Sequence, residues 1–588
     1  MKLSVIALDY DGTIASKGGR AHPEAIDAIR EARSRGILVI LVTGRILSDL
    51  KRVLPETELF DGIVAENGAV LAFPSGRTRS LGHAPSRALL DELGRLDIEV
   101  ASGDCIIEAE AVHGPQILGV VRKLELPLTL LFNRSRVMVL PQGISKATGL
   151  REILKTLRLS LHNCVGIGDA ENDYAMLDAC EIGAAVSWGS SRLHEIADDV
   201  IHGEGPASVG EYLRRVSAST KLPPHRADSR RLVLGKTATG EAVETAVHGR
   251  NILIAGDPRS GKSWITGLFC EQLILQGYCL CVIDPEGDYG TLESLPGVVV
   301  LRADEGPPRL EEVARALRYP DVSIVLEFSA LSHERKVAYV EELLPMLASL
   351  RRRAGLPHWI VVDEAHYFLH QPNLAECVDF DLAAYVLITY RPSQLHPELL
   401  RAVESSIVTP FTNPDEILTL AALSAAEDSA AAWIDLFGGL AIDEAAIVTH
   451  SGEPALPKRF RITNRITSHV RHRTKYIDVP LPQERAFVFT FNGRPFGPPA
   501  RTLKEFVRMQ ESVPLDALRA HARRSDFSRW IRDVFGDAPL AAGIQRLEEQ
   551  VRDDEADDLA PALTSLIRER YAGRPQADAL APKVGPAA

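Results

Sequence analysis

Twice along this chain a short, mostly apolar run empties into a turn crowded with glycine and charge. Leu3–Leu8 leads into Asp9-Tyr-Asp11-Gly-Thr13, and Asn251–Ala255 leads into Gly256-Asp-Pro-Arg-Ser260-Gly261-Lys262-Ser263. Runs this short and this apolar read as strands buried on both faces. Helical patterns follow: His22–Arg35 places Ala25, Ile26, Ile29 and Ala32 at helical spacing, and Trp264–Gln276 reads as a second helix. Strand, turn, helix and strand in that order specify a parallel sheet with helices on both faces. In such sheets ligands bind beyond the carboxyl ends of the strands, which is where both charged turns fall.

The pattern recurs at Ile37–Val42 and Cys164–Ile167, then at 279–284, 298–301, 322–328, 358–363 and 385–389. Residues 69–142 interrupt it. They read as helix 85–97, strands within 98–111, helix 114–124 and strands within 128–140, a small inserted α+β module. The polar, proline-bearing stretch after Lys221 reads as a linker. Lys458 to Lys475 holds seven Lys or Arg and no Asp or Glu, and reads as the next boundary. The expected plan is a domain over 1–216 with an insert at about 69–142, a linker over 217–230, a second α/β domain over 231–466, a small α+β accessory domain over 476–572, and a frayed Ala/Pro-rich tail over 573–588.

Composition narrows the class. The 588 residues carry a net charge of −13, so no global positive field draws the molecule to nucleic acid or anionic lipid. Seven scattered cysteines without a CxxC pair argue against a zinc ribbon or a disulfide framework and fit a reducing cytosol. No apolar run approaches the ~18 residues of a membrane span. The first residues enter a strand at once, which reads as fold and not as a signal peptide. A cytoplasmic protein with no membrane partner is expected.

Three signals join Asp9-Tyr-Asp-Gly-Thr at equivalent strand edges: Thr43-Gly-Arg45, Lys146 opening a helix, and Gly168-Asp169-Ala-Glu-Asn172-Asp173. This ordered set resembles the haloacid dehalogenase superfamily over residues 1–216. Glu66-Asn-Gly-Ala, the insert and Ser145-Lys146 are similar to its Cof-type branch with an α/β cap, and the small cap is similar to that of archaeal phosphoglycolate phosphatases. The resemblance implies a Rossmann-like domain and a phosphatase. A phosphate monoester dianion resists attack by another anion, and magnesium held between Asp9 and Asp169 would cancel that repulsion. Asp9 could then attack phosphorus and form an aspartyl-phosphate. Asp11 is placed to protonate the leaving oxygen and later deprotonate water. The family also implies that its backbone carbonyl reaches the metal. Thr43 and Lys146 would donate to the transferring oxygens, while Asn172 and Asp173 support the metal shell and orient Lys146. The insert would roof the site, which favours a small phosphorylated metabolite over polymer ends.

The second turn matches GxxxxGK[ST] between a strand and a helix. Backbone N–H groups around Gly256, Ser260 and Gly261 would cradle phosphates, Lys262 would reach the β- and γ-phosphates, and Ser263 would bind magnesium. Trp359-Ile-Val-Val-Asp363-Glu364 is a buried strand ending in two carboxylates: Asp363 beside magnesium, Glu364 polarising the attacking water. With Asp284-Pro-Glu-Gly-Asp-Tyr289 and Thr389-Tyr390-Arg391-Pro-Ser, residues 231–466 resemble the HerA/FtsK-like ATPases, RecA-like domains that typically form hexameric rings moving DNA or protein. Arg391 lies in the family's sensor segment, where Tyr390 replaces the usual glutamine. The resemblance implies ATP and magnesium as cofactors and a homo-oligomeric ring.

The rival reading is a P-loop kinase joined to a phosphatase, as in polynucleotide kinase–phosphatases that process nucleic-acid ends. Glu364 directly after Asp363 favours hydrolysis over transfer. The basic run from Lys458 is a candidate DNA contact, a solvated linker, or a segment docked on acidic neighbours. Arg351-Arg-Arg353 reads first as a solvated helix end. The C-terminal region, with His521 and Asp526 beside Phe527 and Trp530, is similar to a small uncharacterised domain appended to varied bacterial enzymes; the two polar residues read as structural, and the domain as an assembly or partner-binding element.

Overall fold

The computed structural model describes the chain except residues 17–18, 134, 223–229, 248–249, 305, 371–376, 425–429, 451–456, 469–480, 482, 536–537, 554–557 and 572–588. Two compact units result. The first comprises Met1–Cys281, Arg309–Ile324 and Leu343–Thr463; the second comprises Val282–Pro308, Val325–Glu342 and the chain from Asn464 onward. Among the described residues no helix is long and apolar enough to cross a membrane.

The first unit holds two large sheets. One is built from β1 (Val5–Asp9), β2 (Leu38–Val42), β3 (Gly62–Ala65), β4 (Val70–Ala72) and β5 (Thr78–Ser80), then, past the insert, β10 (Cys164–Gly168), β11 (Ile182–Val186) and β12 (Asp199–Ile201). Its order is β12-β11-β10-β1-β2-β3-β4-β5, parallel as far as β3 and antiparallel beyond it. Every residue of β1 is buried, as its unbroken apolar run requires of a central strand. The helix Pro23–Ser34 starts at a proline whose missing N–H is no loss there, and buries Ala25, Ile26, Ala28, Ile29 and Ala32 on one face. The insert is a four-stranded antiparallel sheet in the order β6 (Ala101–Ser102), β7 (Ile107–Glu110), β9 (Arg136–Pro141), β8 (Leu128–Asn133). The helices Arg87–Arg95 and Gly114–Lys123 cover one face through Leu89, Leu93, Ile117, Val120 and Val121.

In the other sheet of this unit, the strand Ile252–Ala255 lies between Tyr385–Thr389 and Ser405–Val408, parallel to both. Trp359–Val362 pairs in parallel on the far side of Tyr385–Thr389. Antiparallel strands Glu444–Thr449, Lys458–Ile462, Arg231–Lys236 and Ala242–Ala246 extend the opposite edge. Lys458–Ile462 is therefore a strand and not a linker. Its cations are spoken for: Lys458 pairs with Glu241, Arg459 with Glu444 and Arg461 with Asp443. Lys458, Arg459 and Arg461 thus pair with acidic neighbours, one of the three alternatives for the basic run; residues 469–475 of that run lie outside the described residues.

Of the expected linker over 217–230, residues 223–229 lie outside the described residues, and the chain on either side of them is bonded to the first sheet's domain. Thr220 accepts from the Leu3 N–H, the Leu222 N–H donates to Met1, and Arg230 donates to the carbonyls of Asp178, Ala179 and Cys180. The two sheets meet at a buried polar junction. Glu181 accepts from His162 Nδ1 and from the Tyr278 hydroxyl, both at 2.8 Å, and the His162 and Tyr278 rings stack with centroids 3.7 Å apart. Asn163 donates to the Lys2 carbonyl at 2.9 Å and lies 3.2 Å from His358 Nε2. Asn163 immediately precedes β10, and His358 immediately precedes Trp359–Val362. The sheets thus join at the amino ends of their strands, leaving the carboxyl ends for chemistry. Arg351 belongs to the interior here, in contrast to its reading as a solvated helix end. It is 2% exposed, donates to the carbonyls of His358 and Ala383, and its guanidinium lies 4.8 Å from the Tyr385 ring centre.

In the second unit the C-terminal region is mostly helical. Leu503–Gln510, Leu515–Arg523, Asp526–Trp530, Ala538–Asp553 and Leu559–Tyr571 enclose a core around Phe487, Phe489, Phe506, Phe527 and Trp530. In the strand-like run Arg485–Phe491, Thr490–Phe491 pairs with Arg494–Pro495 and Phe487 bridges to Ala500, while the Phe487 and Phe489 rings fill the aromatic cluster. His521 bonds Asp526 through Nδ1 at 2.8 Å and accepts the Thr490 N–H at Nε2, a structural tie between helix and hairpin. The turn after Asp284 is capped by that carboxylate, which accepts N–H bonds from Gly287, Asp288 and Tyr289.

Candidate active sites

The first site lies at the carboxyl ends of β1, β2 and β10. Register fixes its parts: Asp9 ends β1 opposite Val42, one residue before Thr43, and Asp169 follows Gly168 of β10. Gly12 turns the chain at φ +85, and a Cβ there would meet Asp169 Oδ2 at 2.1 Å, so only glycine lets the loop pass. Lys146 is the first residue of the helix Lys146–Thr156. Ser145 and Thr148 form a reciprocal cap that fixes its backbone, with the Ser145 N–H donating to Thr148 Oγ1 at 2.8 Å.

The Lys146 ammonium donates to Asp9 and to Asp173, each at 2.6 Å, and all three side chains are buried. Asp173 also accepts the backbone N–H groups of Asp169 and Ala170. Burial works to lower the Lys146 pKa, but Asp173 and Asp9 outweigh it and hold the ammonium above its ordinary value. Burial, then the negative charge of Asp173, raises the Asp9 carboxyl well above the usual carboxylate range. Asp9, Asp169 and Asp173 bring carboxylate oxygens within 4.8 Å of one another. With all three carboxylates ionised against one ammonium the buried site would carry −2, and the Asn172 amide oxygen beside them is buried without a hydrogen-bond partner. A hard divalent cation with oxygen ligands fits this donor set.

Asp11 sits nearer the surface, held bidentately by Arg45 at 2.6 and 2.7 Å. Thr43 is buried and its Oγ1 accepts the Arg45 N–H. Arg45 closes the Thr43-Gly-Arg triplet, and its side-chain role has no signal in the local pattern. Glu66 is a second residue that local pattern left unassigned. At φ +54, it accepts the N–H groups of Asp104 and Cys105 and so pins the insert to the sheet. Trp188, with no sequence signal, donates to the Gly12 carbonyl at 2.8 Å. A cavity of about 690 Å³ opens above Asp9, Asp11 and Asp169. Ala101, Ser102, Glu108, Asn133, Ser135, Arg136 and Met138 of the insert line it, so the insert roofs the site.

The second site lies at the carboxyl ends of Ile252–Ala255, Tyr385–Thr389 and Trp359–Val362. Ala255 is opposite Thr389 and Val362 is opposite Leu387, so the glycine-rich loop, Asp363 and Arg391 follow neighbouring strands at one edge. Gly256 approaches Thr409 so closely that a Cβ would meet Thr409 Oγ1 at 2.0 Å. Ser260 bonds the same hydroxyl at 2.5 Å. Gly261, at φ +101, turns the loop into the helix Lys262–Leu275, which Ser263 continues. The Lys262 ammonium donates to the carbonyls of Gly256 and Asp257 at 3.0 and 2.8 Å, where a bound anion would compete for it. Asp363 and Glu364 are fully buried. Asp363 accepts the Glu364 N–H, and Glu364 lies at φ +46 with its carboxylate 3.6 Å from His366 Nδ1. His366 reaches Thr389 Oγ1 at 3.1 Å and packs edge-on against Tyr390. Arg391 donates its N–H to Thr389 Oγ1, and its guanidinium lies 5.2 Å from the Tyr390 ring centre. Tyr390 thus packs between His366 and Arg391.

Comparison with known proteins matches both halves. The family model of haloacid dehalogenase-like hydrolases covers residues 6–90 and 130–213, with the gap inside the insert, and the model of the HerA helicase central domain covers 235–356. A phosphoglycolate phosphatase of Methanothermobacter thermautotrophicus is 30% identical over 222 residues, which are 36% of this chain and 98% of that protein. Those of Methanosarcina acetivorans and Sulfolobus acidocaldarius are each 26% identical, covering 36% of this chain and 97% and 96% of their own lengths.

Proposed function

This chain belongs to the haloacid dehalogenase-like hydrolases through residues 6–213 and carries a HerA-type domain behind them, and we propose that it joins a magnesium-dependent phosphomonoesterase to an ATP-hydrolysing domain. The observation that carries the reading is the buried constellation of Asp9, Lys146, Asp169 and Asp173 beneath a roofed cavity. Asp9, Asp169 and Asn172, with the Asp11 carbonyl, would hold magnesium, which supplies charge neutralisation of the phosphoryl oxygens. Asp9 attacks phosphorus and displaces the substrate oxygen, forming an aspartyl-phosphate. Asp11 gives the leaving oxygen its proton and then takes one from the water that frees Asp9. Lys146 and Thr43 donate to the phosphoryl oxygens, and Asp173 keeps Lys146 aimed.

In the HerA-type domain, the loop N–H groups and Lys262 hold the ATP phosphates, Ser263 and Asp363 would hold magnesium, Glu364 orients the attacking water, and Arg391 senses the γ-phosphate. Ring assembly and DNA contact follow from the HerA likeness alone. DNA-stimulated ATP hydrolysis across salt concentrations tests the contact. A roof over the phosphatase centre favours a small phosphorylated metabolite over the end of a nucleic-acid strand, and so counts against the end-processing alternative. Phosphoglycolate, the substrate in the relatives' names, is the natural reference compound. The deciding experiment is Asp9→Asn. It should abolish magnesium-dependent hydrolysis of para-nitrophenyl phosphate and leave ATP hydrolysis intact; persistent phosphatase activity would remove the nucleophile assignment.

A further inference from the structure

The roof of the phosphatase cavity carries a charge pattern that bears on its substrate. Glu108 of β7 and Arg136 of β9 both line the cavity, as does Met138, which is the direct cross-strand partner of Glu108. Arg136 lies two residues from Met138, hence on the same face of the sheet, and its Nε donates to Glu108 at 2.9 Å. On the floor, Arg45 is held by Asp11 and Asp49, and Arg52 by Asp49. Among the described residues lining the cavity, each of the three arginines already has a carboxylate partner. Apart from Asp9 and Asp169, those lining charges sum to zero: Arg45, Arg52 and Arg136 against Asp11, Asp49 and Glu108. The remaining polar side chains in the lining are hydroxyl and amide: Ser48, Ser102, Ser135, Asn133 and Asn172. A cavity of about 690 Å³ is far roomier than a two-carbon acid needs.

We propose that the Glu108–Arg136 pair sets the leaving-group specificity of this site, masking the roof's cation so that neutral, hydroxyl-bearing phosphate monoesters are taken in preference to carboxylate-bearing ones. This rests on the phosphatase reading above. A substrate carboxylate would have to displace Glu108 from Arg136 and sit beside it, like charge against like. A polyol instead offers donors to Glu108 and acceptors to the serine hydroxyls and the Asn133 amide, leaving the ion pair whole.

The test uses the full chain with magnesium and measures kcat/KM for phosphoglycolate, for a neutral hexose phosphate and for para-nitrophenyl phosphate. The wild type should favour the hexose phosphate over phosphoglycolate by at least about tenfold, the worth of one charge contact. Glu108→Gln frees Arg136 and should move that ratio toward phosphoglycolate by about tenfold. Because the ratio is taken within one enzyme preparation, loss of folded protein cancels. Arg134 lies outside the described residues, between Asn133 and Ser135. An Arg134→Ala variant reads its share, and a preference for the neutral ester that persists there supports the proposal. A wild type that favours phosphoglycolate, or turns over the two equally, overturns it, as does a ratio unmoved by Glu108→Gln. Failure to hydrolyse even para-nitrophenyl phosphate would instead bring down the phosphatase reading itself.

Discussion

Replacing Lys146 by methionine keeps the length of the side chain and deletes its charge. In the native site that ammonium makes two charge-assisted hydrogen bonds, to Asp9 and Asp173, at 2.6 Å each. Bonds to charged groups are worth about 1.5–3 kcal/mol apiece. If both interactions, or their counterparts to the phosphoryl oxygens, are realised in the transition state, their loss raises the barrier by about 3–6 kcal/mol. At about 1.4 kcal/mol per decade, kcat/KM should fall between roughly a hundredfold and ten-thousandfold. The variant also leaves Asp9, Asp169 and Asp173 as three buried carboxylates with no ammonium among them, so magnesium should raise its melting temperature more than it raises the wild type's. Hydrolysis of para-nitrophenyl phosphate at saturating magnesium, with kcat and KM separated, measures the first effect; thermal melts with and without magnesium measure the second. A folded Lys146→Met enzyme within about threefold of the wild type in kcat/KM would refute the assignment of transition-state stabilisation to this residue.

At the junction between the sheets, Glu181→Gln and Tyr278→Phe in a double-mutant cycle should show a coupling of about 1–2 kcal/mol in urea unfolding of this unit, because each change strands a buried partner of the other. Additive effects would argue that the 2.8 Å contact contributes nothing. His450 bonds Ser406 at 2.7 Å, and burial lowers its pKa from 6.5 to about 4. The unfolded chain therefore takes up this proton first as pH falls, so the stability His450 confers is complete above pH 6.5 and is lost toward pH 4, by up to about 3 kcal/mol. Melting temperatures across that window should fall less steeply in His450→Asn; equal slopes would exclude the residue. In the second site, Glu364→Gln should bind ATP and stall hydrolysis, whereas Lys262→Ala should lose binding, both read by nucleotide titration beside phosphate release. Unimpaired phosphate release by Glu364→Gln would reassign the water-orienting role.

What could be read in advance was what lies close in sequence. Asp9, Asp11 and Asp169 announce themselves because each ends or follows a strand whose apolar run is unmistakable, and a parallel sheet gathers such ends at one edge, where Lys146 arrives by opening a helix after the insert. The glycine-rich loop and Asp363 are legible for the same reason. Arg351 was not, since what buries it is the carbonyl of Ala383 and the ring of Tyr385, more than thirty residues away along the chain. The cluster of His162, Glu181, Tyr278 and His358 has no shared local pattern at all; only the meeting of two sheets creates it. Lys458–Ile462 reads as a boundary in the linear sequence because Glu241, Asp443 and Glu444, which pair with its cations, lie elsewhere along the chain. Glu66 and Trp188 act through the insert and the Gly12 loop, partners that no single window contains.

The covalent step at Asp9 is the central claim. Rapid acid quenching during turnover of para-nitrophenyl phosphate, followed by peptide mass spectrometry, should find a hydroxylamine-labile phosphoryl group on the peptide bearing Asp9, absent from Asp9→Asn. A phosphoryl group trapped on another residue, or none in an enzyme that releases nitrophenol in a burst, would contradict the account.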